Sequence, residues 1–179
     1  KKNISSLIYI SSDAVYSDSL NKLNENSEIN IIEYVINNSK SKFLNNTYEN
    51  IILSKNSKYK NINFQSKKSD GYFYKFSQNT ISSDATCSSF IFSSGLKFNK
   101  VDIESDLVGH NSECNINSAL FLNQSEHQEI KTRINHLAPN CKSYQRVKKV
   151  LSSESKGVYQ GKIYVKDVAQ KTDAYQLSK

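Results

Sequence analysis

Short runs in which apolar and polar residues alternate recur along the chain, and this rhythm restricts the fold more than any other feature. From about Glu28 onward the runs return roughly every 10 residues, and a period of two is typical of strands with one buried face. Clusters rich in Asn, Ser, Asp and Lys separate the runs, at Asn37–Lys42, Lys55–Lys58 and Lys67–Gly71. These side chains stabilise turns by bonding nearby backbone groups. The pattern predicts an all-β protein.

Many short, evenly spaced strands are compatible with a sandwich, a barrel or a β-solenoid. The chain has only 5 glycines and one proline, and Asn and Ser occupy most of the turn positions. This scarcity favours a solenoid, whose stacked turns accommodate ladders of small polar side chains. Two segments, Asp13–Leu23 and Ser143–Leu151, are candidate short helices, with strands as the alternative. No internal boundary divides the chain, so residues 1–179 are predicted to form one domain.

The formal net charge is +7, from 24 Lys and Arg against 17 Asp and Glu. Only Arg133 and Arg146 are arginines, and the Lys-, Asn-, Ser- and Ile-rich composition is the one that AT-rich codons produce. The charge alone therefore does not indicate a polyanionic partner. The chain contains no Met, and its strand rhythm continues to the last residues, so we expect it to be truncated at both ends. No apolar run reaches the ~18 residues of a membrane span.

Three cysteines, Cys87, Cys114 and Cys141, are evenly spaced and form neither a C-x-x-C motif nor an even disulfide set. A reducing cytoplasm is the simplest compartment for such a chain. The even spacing is compatible with positions on stacked turns of a repeat. We expect them to pack as small buried hydrophobes, as free cysteines usually do.

Two groups of titratable residues are candidates for chemistry. His127 and His136 flank a strand-like segment that contains Glu129, and a His/Glu cluster could bind a metal or move a proton. Their spacing matches no ligand pattern, so hydrogen-bonded loop histidines are the alternative. The second group is acidic and is predicted to share one strand face: Asp102, Glu104 and Asp106. Paired acids are needed for glycosidic chemistry, but a solvated acidic face explains them as well.

Basic residues are interleaved with aromatic ones at Lys55–Lys60 and Lys67–Phe76. Tyr59, Tyr72 and Tyr74 could serve as stacking platforms for bases in a nucleic-acid-binding protein. Tyr and Lys are also ordinary residues of strands and of their protected edges, and we expect no nucleic-acid partner.

The C-terminal third carries three linked motifs. They are Ile134-Asn-His136-Leu-Ala-Pro139-Asn140-Cys141-Lys-Ser143-Tyr-Gln145 followed by Lys148–Leu151, then Gly157-Val-Tyr-Gln-Gly161-Lys-Ile-Tyr-Val165, then Ala169-Gln-Lys-Thr-Asp-Ala-Tyr-Gln176. In order and spacing this sequence resembles the SufB/SufD family of iron–sulfur cluster assembly proteins. The first and third motifs are more similar to the SufD branch than to the SufB branch.

The resemblance implies a right-handed parallel β-helix with apolar residues inward at alternate positions. It also implies a cytoplasmic, non-catalytic scaffold subunit that pairs with a SufB-like subunit and a SufC-like ATPase, with no membrane partner. The iron–sulfur cluster is then held transiently by the full complex and is not bound stably by this segment. The N-terminal helical part, the Cys-Ser-His-Gly segment with the cluster histidine and the ATPase-docking helices are expected outside residues 1–179.

The family-motif residues are carried over by position: Pro139, Asn140, Ser143, Gln145, Gly157, Gly161, Ala169, Gln170, Thr172 and Asp173. The two glycines are expected at tight corners, because glycine adopts positive φ or allows close backbone approach. Thr172 and Asp173 are expected to cap a corner through side-chain bonds. His136 and Cys141 match family positions, and we expect structural packing there, with contact to iron as the sharper alternative.

The chain departs from the family at two places. It carries His127-Gln128-Glu129 where many members have His-x-Asp, and Asn99-Lys100 where an Arg is common. A lysine cannot make the bidentate contact of an arginine. Two other functions remain open: a polysaccharide-active β-helix enzyme, which needs acids with Arg or Lys in a long groove, and a basic nucleic-acid-binding β protein.

Overall fold

A computed structural model describes residues 3–10, 14–35, 42–66 and 69–179, and strands occupy most of these ranges. The strands are β1 Asn3–Ile10, β2 Ala14–Leu23, β3 Glu28–Val35, β4 Leu44–Leu53, β5 Lys58–Gln65, β6 Ser69–Ile81, β7 Thr86–Ser93, β8 Leu96–Leu107, β9 Glu113–Leu122, β10 His127–His136, β11 Lys142–Leu151, β12 Lys156–Val165 and β13 Asp173–Ser178. Within the described ranges no helix is present, and none therefore has the length and hydropathy to span a membrane.

The strands form two parallel sheets that stack turn upon turn. Odd-numbered strands make one sheet in the order β1-β3-β5-β7-β9-β11-β13, which we call sheet A. Even-numbered strands make the other, β12-β10-β8-β6-β4-β2, which we call sheet B. Side-chain hydrogen bonds between neighbouring turns join residues 26 to 31 positions apart. The architecture is a β-solenoid, so the all-β and solenoid predictions are confirmed and the sandwich and barrel are excluded.

Both helix candidates are wrong. The segment predicted at Asp13–Leu23 forms strand β2 from Ala14 onward, with Asp13 outside the described residues, and Ser143–Leu151 lies within β11. Each of these strands is paired along its length with a parallel neighbour. The ladder hydrogen bonds of a stacked turn outweigh a short segment's weak helical preference.

One corner of every turn, between an even-numbered strand and the next odd-numbered one, holds a residue in the left-handed conformation. We call this series the asparagine column: Asn26, Asn56, Asp84, Asn111, Asn140 and Lys171, with φ between 57° and 59°. Asn and Asp tolerate this conformation better than other non-glycine residues. The Asn56 side chain donates to Asn26 Oδ1 at 2.7 Å. Most of the predicted turn that begins at Asn37, and the start of the one that begins at Lys67, lie outside the described residues.

The apolar core lies beside the asparagine column. On sheet B, Leu53, Ile81 and Leu107 stack in register and are fully buried. On sheet A, Cys87 and Cys114 stack in register, as the even spacing suggested, whereas Cys141 lies in a corner and Ser143 takes the equivalent position. All three cysteines are free and buried.

The expectation that apolar residues point inward is wrong for most of β5 and for the middle of β6, where Lys75, Ser77 and Asn79 point inward. In β5 the inward side chains are those of Tyr59, Asn61, Asn63 and Gln65. The alternating apolar residues instead face outward, where the Phe64 ring stacks between Tyr34 and Phe92 at centroid distances of 5.0 and 4.7 Å. Polar residues can line the interior here because many of them hydrogen-bond to one another across the turns.

Candidate functional site

The first and third sequence motifs meet at adjacent corners of the solenoid. Pro139-Asn140-Cys141 forms the corner between β10 and β11, and the segment that begins at Ala169 forms the corner between β12 and β13. The Asn140 N–H donates to Gln170 O at 2.9 Å, and the Asp173 N–H donates to Cys141 O at 3.0 Å. Stacking of the turns therefore brings together motifs that are far apart in sequence. We call this pair of corners the motif corner.

The Cys141 thiol is enclosed at the motif corner. It is fully buried, with Sγ 3.0 Å from Ala138 O, 3.3 Å from Gly109 O and 3.2 Å from Ser112 Oγ. The thiol can donate to these carbonyl oxygens, which belong to two successive corners. This environment fits a small side chain that joins neighbouring turns.

His136 ends β10 and continues the buried column of Leu53, Ile81 and Leu107. Its Nε2 lies 2.9 Å from Ser143 Oγ, and its side chain is fully buried. Burial lowers the pKa of His136, partly offset by the backbone of Cys141, so the imidazole is neutral at pH 7. Among the described residues no three His, Cys, Asp or Glu side chains are grouped to hold a metal ion. Structural packing of His136 and Cys141 stays the prediction, with iron contact as its alternative.

Ser143 and Gln145 point inward from β11 and continue this polar lining. Gln145 Oε1 accepts from Thr132 Oγ1 at 2.5 Å and from the Tyr159 hydroxyl at 3.1 Å. Burial raises the pKa of Tyr159, which keeps its hydroxyl protonated as a donor. Thr132, Gln145 and Tyr159 therefore form a small hydrogen-bonded polar group inside the C-terminal turns, beside the buried apolar residues Leu122 and Ile130.

Gly157 and Gly161 lie inside β12 and not at corners, which corrects the expected role. Neither has a positive φ; among the described glycines only Gly95 does, at 83°. A Cβ at Gly161 would lie 2.5 Å from the Gln176 amide, so this glycine makes room for a side chain of the facing strand β13.

The corner before β13 is closed by groups other than the predicted ones. The Ala169 N–H donates to Lys166 O at 2.8 Å, and the Gln170 side chain donates to Asp167 O at 2.5 Å. Asp173 contributes its backbone N–H. In this part of the structure no side-chain hydrogen bond of Thr172 or Asp173 is found, so backbone groups and Gln170 close the corner.

The predicted His/Glu cluster divides between two ends of β10. His127 Nε2 lies 3.0 Å from Glu129 Oε1 near the start of the strand, whereas His136 is buried at its end.

The acids of β8 do share the outer face, as predicted, and each has a partner. Tyr74 donates to Asp102 at 3.2 Å, Arg133 lies 3.4 Å from Glu104, and Asn135 donates to Asp106 at 2.6 Å.

The tyrosines that could have served as a stacking platform for bases are not all accessible, because the Tyr59 side chain is 1% exposed inside the solenoid. Its phenol donates to Glu49 Oε1 at 3.3 Å. Tyr72 lies on the opposite, outer side of its sheet and contacts the Phe98 ring. The tyrosines therefore do not form one surface on which bases could stack.

A buried ionic cluster of Glu33, Glu49 and Lys75 was missed by sequence reasoning. Lys75 Nζ lies 2.9 Å from Glu33 Oε2 and 3.2 Å from Glu49 Oε2. The sequence did contain one indication of this cluster. Glu33 continues the alternation of Ile29 and Ile31, so its side chain falls on the inward face of β3. A charge in the inward phase requires an interior partner.

Comparison with known families covers almost the entire chain. Residues 8–179 match the family model described as SUF system FeS cluster assembly, SufBD core domain. The chain belongs to the SufBD core family. This membership places the SufBD core described here in iron–sulfur cluster assembly by the SUF system, and the match extends beyond the three motifs of the C-terminal third. None of the curated proteins matches the chain.

Proposed function

We propose that this SufBD core is a SufD-like scaffold subunit of the SUF assembly machinery, which pairs with a SufB-like subunit and a SufC-like ATPase in the cytoplasm. The family match over residues 8–179 carries the proposal. The similarity of the two motif-corner segments to the SufD branch supports the choice of branch. A scaffold contributes shape and docking surface, and a stack of turns provides extended faces for that purpose.

The polar groups of the motif corner support a role without catalysis. The Cys141 thiol contacts backbone carbonyls, and His136 contacts Ser143. The candidate acids on β8 are engaged by Tyr74, Arg133 and Asn135. An active site usually leaves its acids, bases and nucleophiles accessible to a substrate.

The test is assembly of the full-length protein with SufB-like and SufC-like partners. Co-expression followed by size exclusion with mass determination is expected to give one complex that contains all three proteins. Separate elution of the three would contradict the scaffold role. Pairing with a SufD-like subunit in place of the SufB-like one would keep the role and overturn the choice of branch.

Packing at His136 and Cys141 is tested in the same complex. The Cys141→Ser and His136→Gln variants are expected to assemble and to support the same iron and sulfide content after reconstitution. Loss of cluster in a variant that still assembles would show contact with iron. His127→Gln is the matched control, because His127 lies on the outer face beside Glu129.

A further inference from the structure

The ionic cluster connects the two sheets across neighbouring turns. Glu33 belongs to β3 of sheet A, whereas Glu49 and Lys75 belong to β4 and β6 of sheet B. Glu33 also accepts from Asn63 at 2.9 Å, and Glu49 accepts from Tyr59 at 3.3 Å and from Ser77 at 3.2 Å. Side chains of four successive strands, β3 to β6, therefore meet in one buried cluster: β3, β4 and β6 supply its charges, and β5 donates hydrogen bonds to both carboxylates.

The cluster is buried and its charges do not cancel. The side-chain exposures are 9% for Lys75, 12% for Glu33 and 7% for Glu49. Two carboxylates against one ammonium leave one net negative charge in the interior. The other titratable side chains that face the cluster are Tyr59 from β5 and Cys87 from β7. Strand β8 contributes only the apolar side chains of Val101 and Ile103. Lys75 is thus the only cation facing the two carboxylates from these strands.

The pKa values follow from this arrangement. Burial lowers the pKa of Lys75, but Glu49 and Glu33 outweigh that effect and raise it above its ordinary value. Burial raises the pKa of Glu33, but Lys75 and the amides of Asn63 and Asn61 outweigh that effect and lower it below 4.5. Burial and the Glu49 charge raise the pKa of Tyr59, so it stays a neutral donor.

We propose that the ionic cluster is a conformational lock on strands β3 to β6, which opens these turns locally when a carboxylate is protonated or when Lys75 is removed. In a solenoid each turn contacts only its neighbours, so one region can open while another stays closed. The C-terminal turns hold a different interior, the uncharged set of Thr132, Gln145 and Tyr159. The inference does not depend on the proposed function.

The sign of the pH effect follows from Glu33. Because its folded pKa is lowered, the cluster stabilises β3 to β6 fully above the ordinary value of 4.5, and this contribution is lost as the pH falls through the folded value. For each proton that the cluster takes up when these turns open, the hydrogen-exchange protection of β3 to β6 falls by up to ~10-fold as the pH is lowered by one unit.

Removal of Lys75 reverses this sign. In Lys75→Met two carboxylates are buried without a cation, and burial together with repulsion from Glu49 raises the pKa of Glu33. The turns β3 to β6 are then open at pH 7 and regain protection as acid neutralises the carboxylates.

The experiment is hydrogen exchange resolved to peptides of the full-length protein from pH 7 to pH 3, corrected for intrinsic exchange rates. In the wild type, β3 to β6 are expected to lose protection below pH 4.5. The combined variant Glu33→Gln, Glu49→Gln and Lys75→Met is expected to remove this slope and remains informative if Lys75→Met alone does not fold. Glu104→Gln with Arg133→Met, which removes an exposed pair of sheet B, is the matched control and is expected to keep the wild-type profile.

Two results would overturn the proposal. One is a combined variant that keeps the wild-type slope in β3 to β6. The other is a folded Lys75→Met protein that loses protection on acidification just as the wild type does. Reversal of the slope in Lys75→Met, with no change in peptides of β11, would support the lock.

Discussion

The asparagine column shows how single residues determine the corners of this solenoid. Five of its six members are Asn or Asp, and the sixth is Lys171 with the same φ of 57°. The backbone N–H of a column residue donates to the next turn, as from Asn56 to Ser83 O at 2.9 Å. The left-handed conformation costs an ordinary L-residue roughly 1–2 kcal/mol and Asn less. Lys171 is therefore the strained member of the column.

Exchange of residues between two corners tests this strain. Lys171→Asn is expected to raise the free energy of unfolding by about 0.5–1 kcal/mol, and Asn140→Lys to lower it by a similar amount. Both side chains are exposed, so the backbone conformation is the main difference. Urea unfolding with an unchanged slope measures the effect, and equal shifts in the same direction would contradict it.

A second prediction concerns the buried imidazole of His136. Because its folded pKa lies below the ordinary 6.5, the folded state binds fewer protons than the unfolded state as the pH falls. Stability is therefore expected to decline from pH 6.5 downward and to level off below the folded pKa. Urea midpoints between pH 8 and 5 should show this decline in the wild type and lose it in His136→Gln. A decline that persists in the variant would assign it to another group.

At the scale of elements, alternation predicts where strands lie but not which face is buried. Ile62 and Phe64 gave the correct strand β5, yet they face outward while Asn61 and Asn63 line the interior. Period two is the same for either orientation. The choice depends on partners such as Glu33 and Lys75, which lie 42 positions apart in sequence. That pairing becomes visible only when the turns stack.

The glycines differ in what an added side chain would meet in the neighbouring element. Alanine substitutions at Gly109 and Gly161 test this difference. A Cβ at Gly109 would collide with the backbone of Ser82 and Ser83 in the neighbouring corner, whereas at Gly161 it would meet only the movable end of Gln176. Gly109→Ala is expected to lower the free energy of unfolding by about 3 kcal/mol or more, and Gly161→Ala by less than about 1 kcal/mol. Thermal and urea unfolding of the pair measure both, and equal losses would contradict the contrast.

For the whole molecule, sequence motifs predicted the family and the solenoid but not the arrangement of the motif corner. Pro139-Asn140-Cys141 and the segment from Ala169 were recognised separately, and their contact arises from the length of one turn. The corner role given to Gly157 and Gly161 failed because a glycine also serves where a neighbouring side chain crosses a strand. The motif residues therefore identified the C-terminal turns of the solenoid, but they did not predict the structural role of each residue there.

Because each turn packs only against its neighbours, a core substitution is expected to destabilise the turns around it and leave distant turns intact. Leu107 is fully buried in β8 and pairs with Ile81 of β6 and His136 of β10. Leu107→Ala is expected to cost about 2–5 kcal/mol, with hydrogen-exchange protection lost in β6, β8 and β10 and retained in β13. The control is Leu44→Ala, because Leu44 is 49% exposed. Uniform loss of protection along the chain would show that the solenoid unfolds as one unit.

The two parallel ladders also determine how the molecule responds to mechanical load. Each turn is attached to the next by both sheets and by the asparagine column, so a pull along the solenoid axis acts on these junctions in series. The weakest junction yields first, and the chain peels away one turn at a time. The asparagine column advances about 29 residues per turn between Asn26 and Lys171, so one turn at ~3.5 Å per residue releases about 10 nm of chain. Single-molecule extension would therefore record a sawtooth with that period.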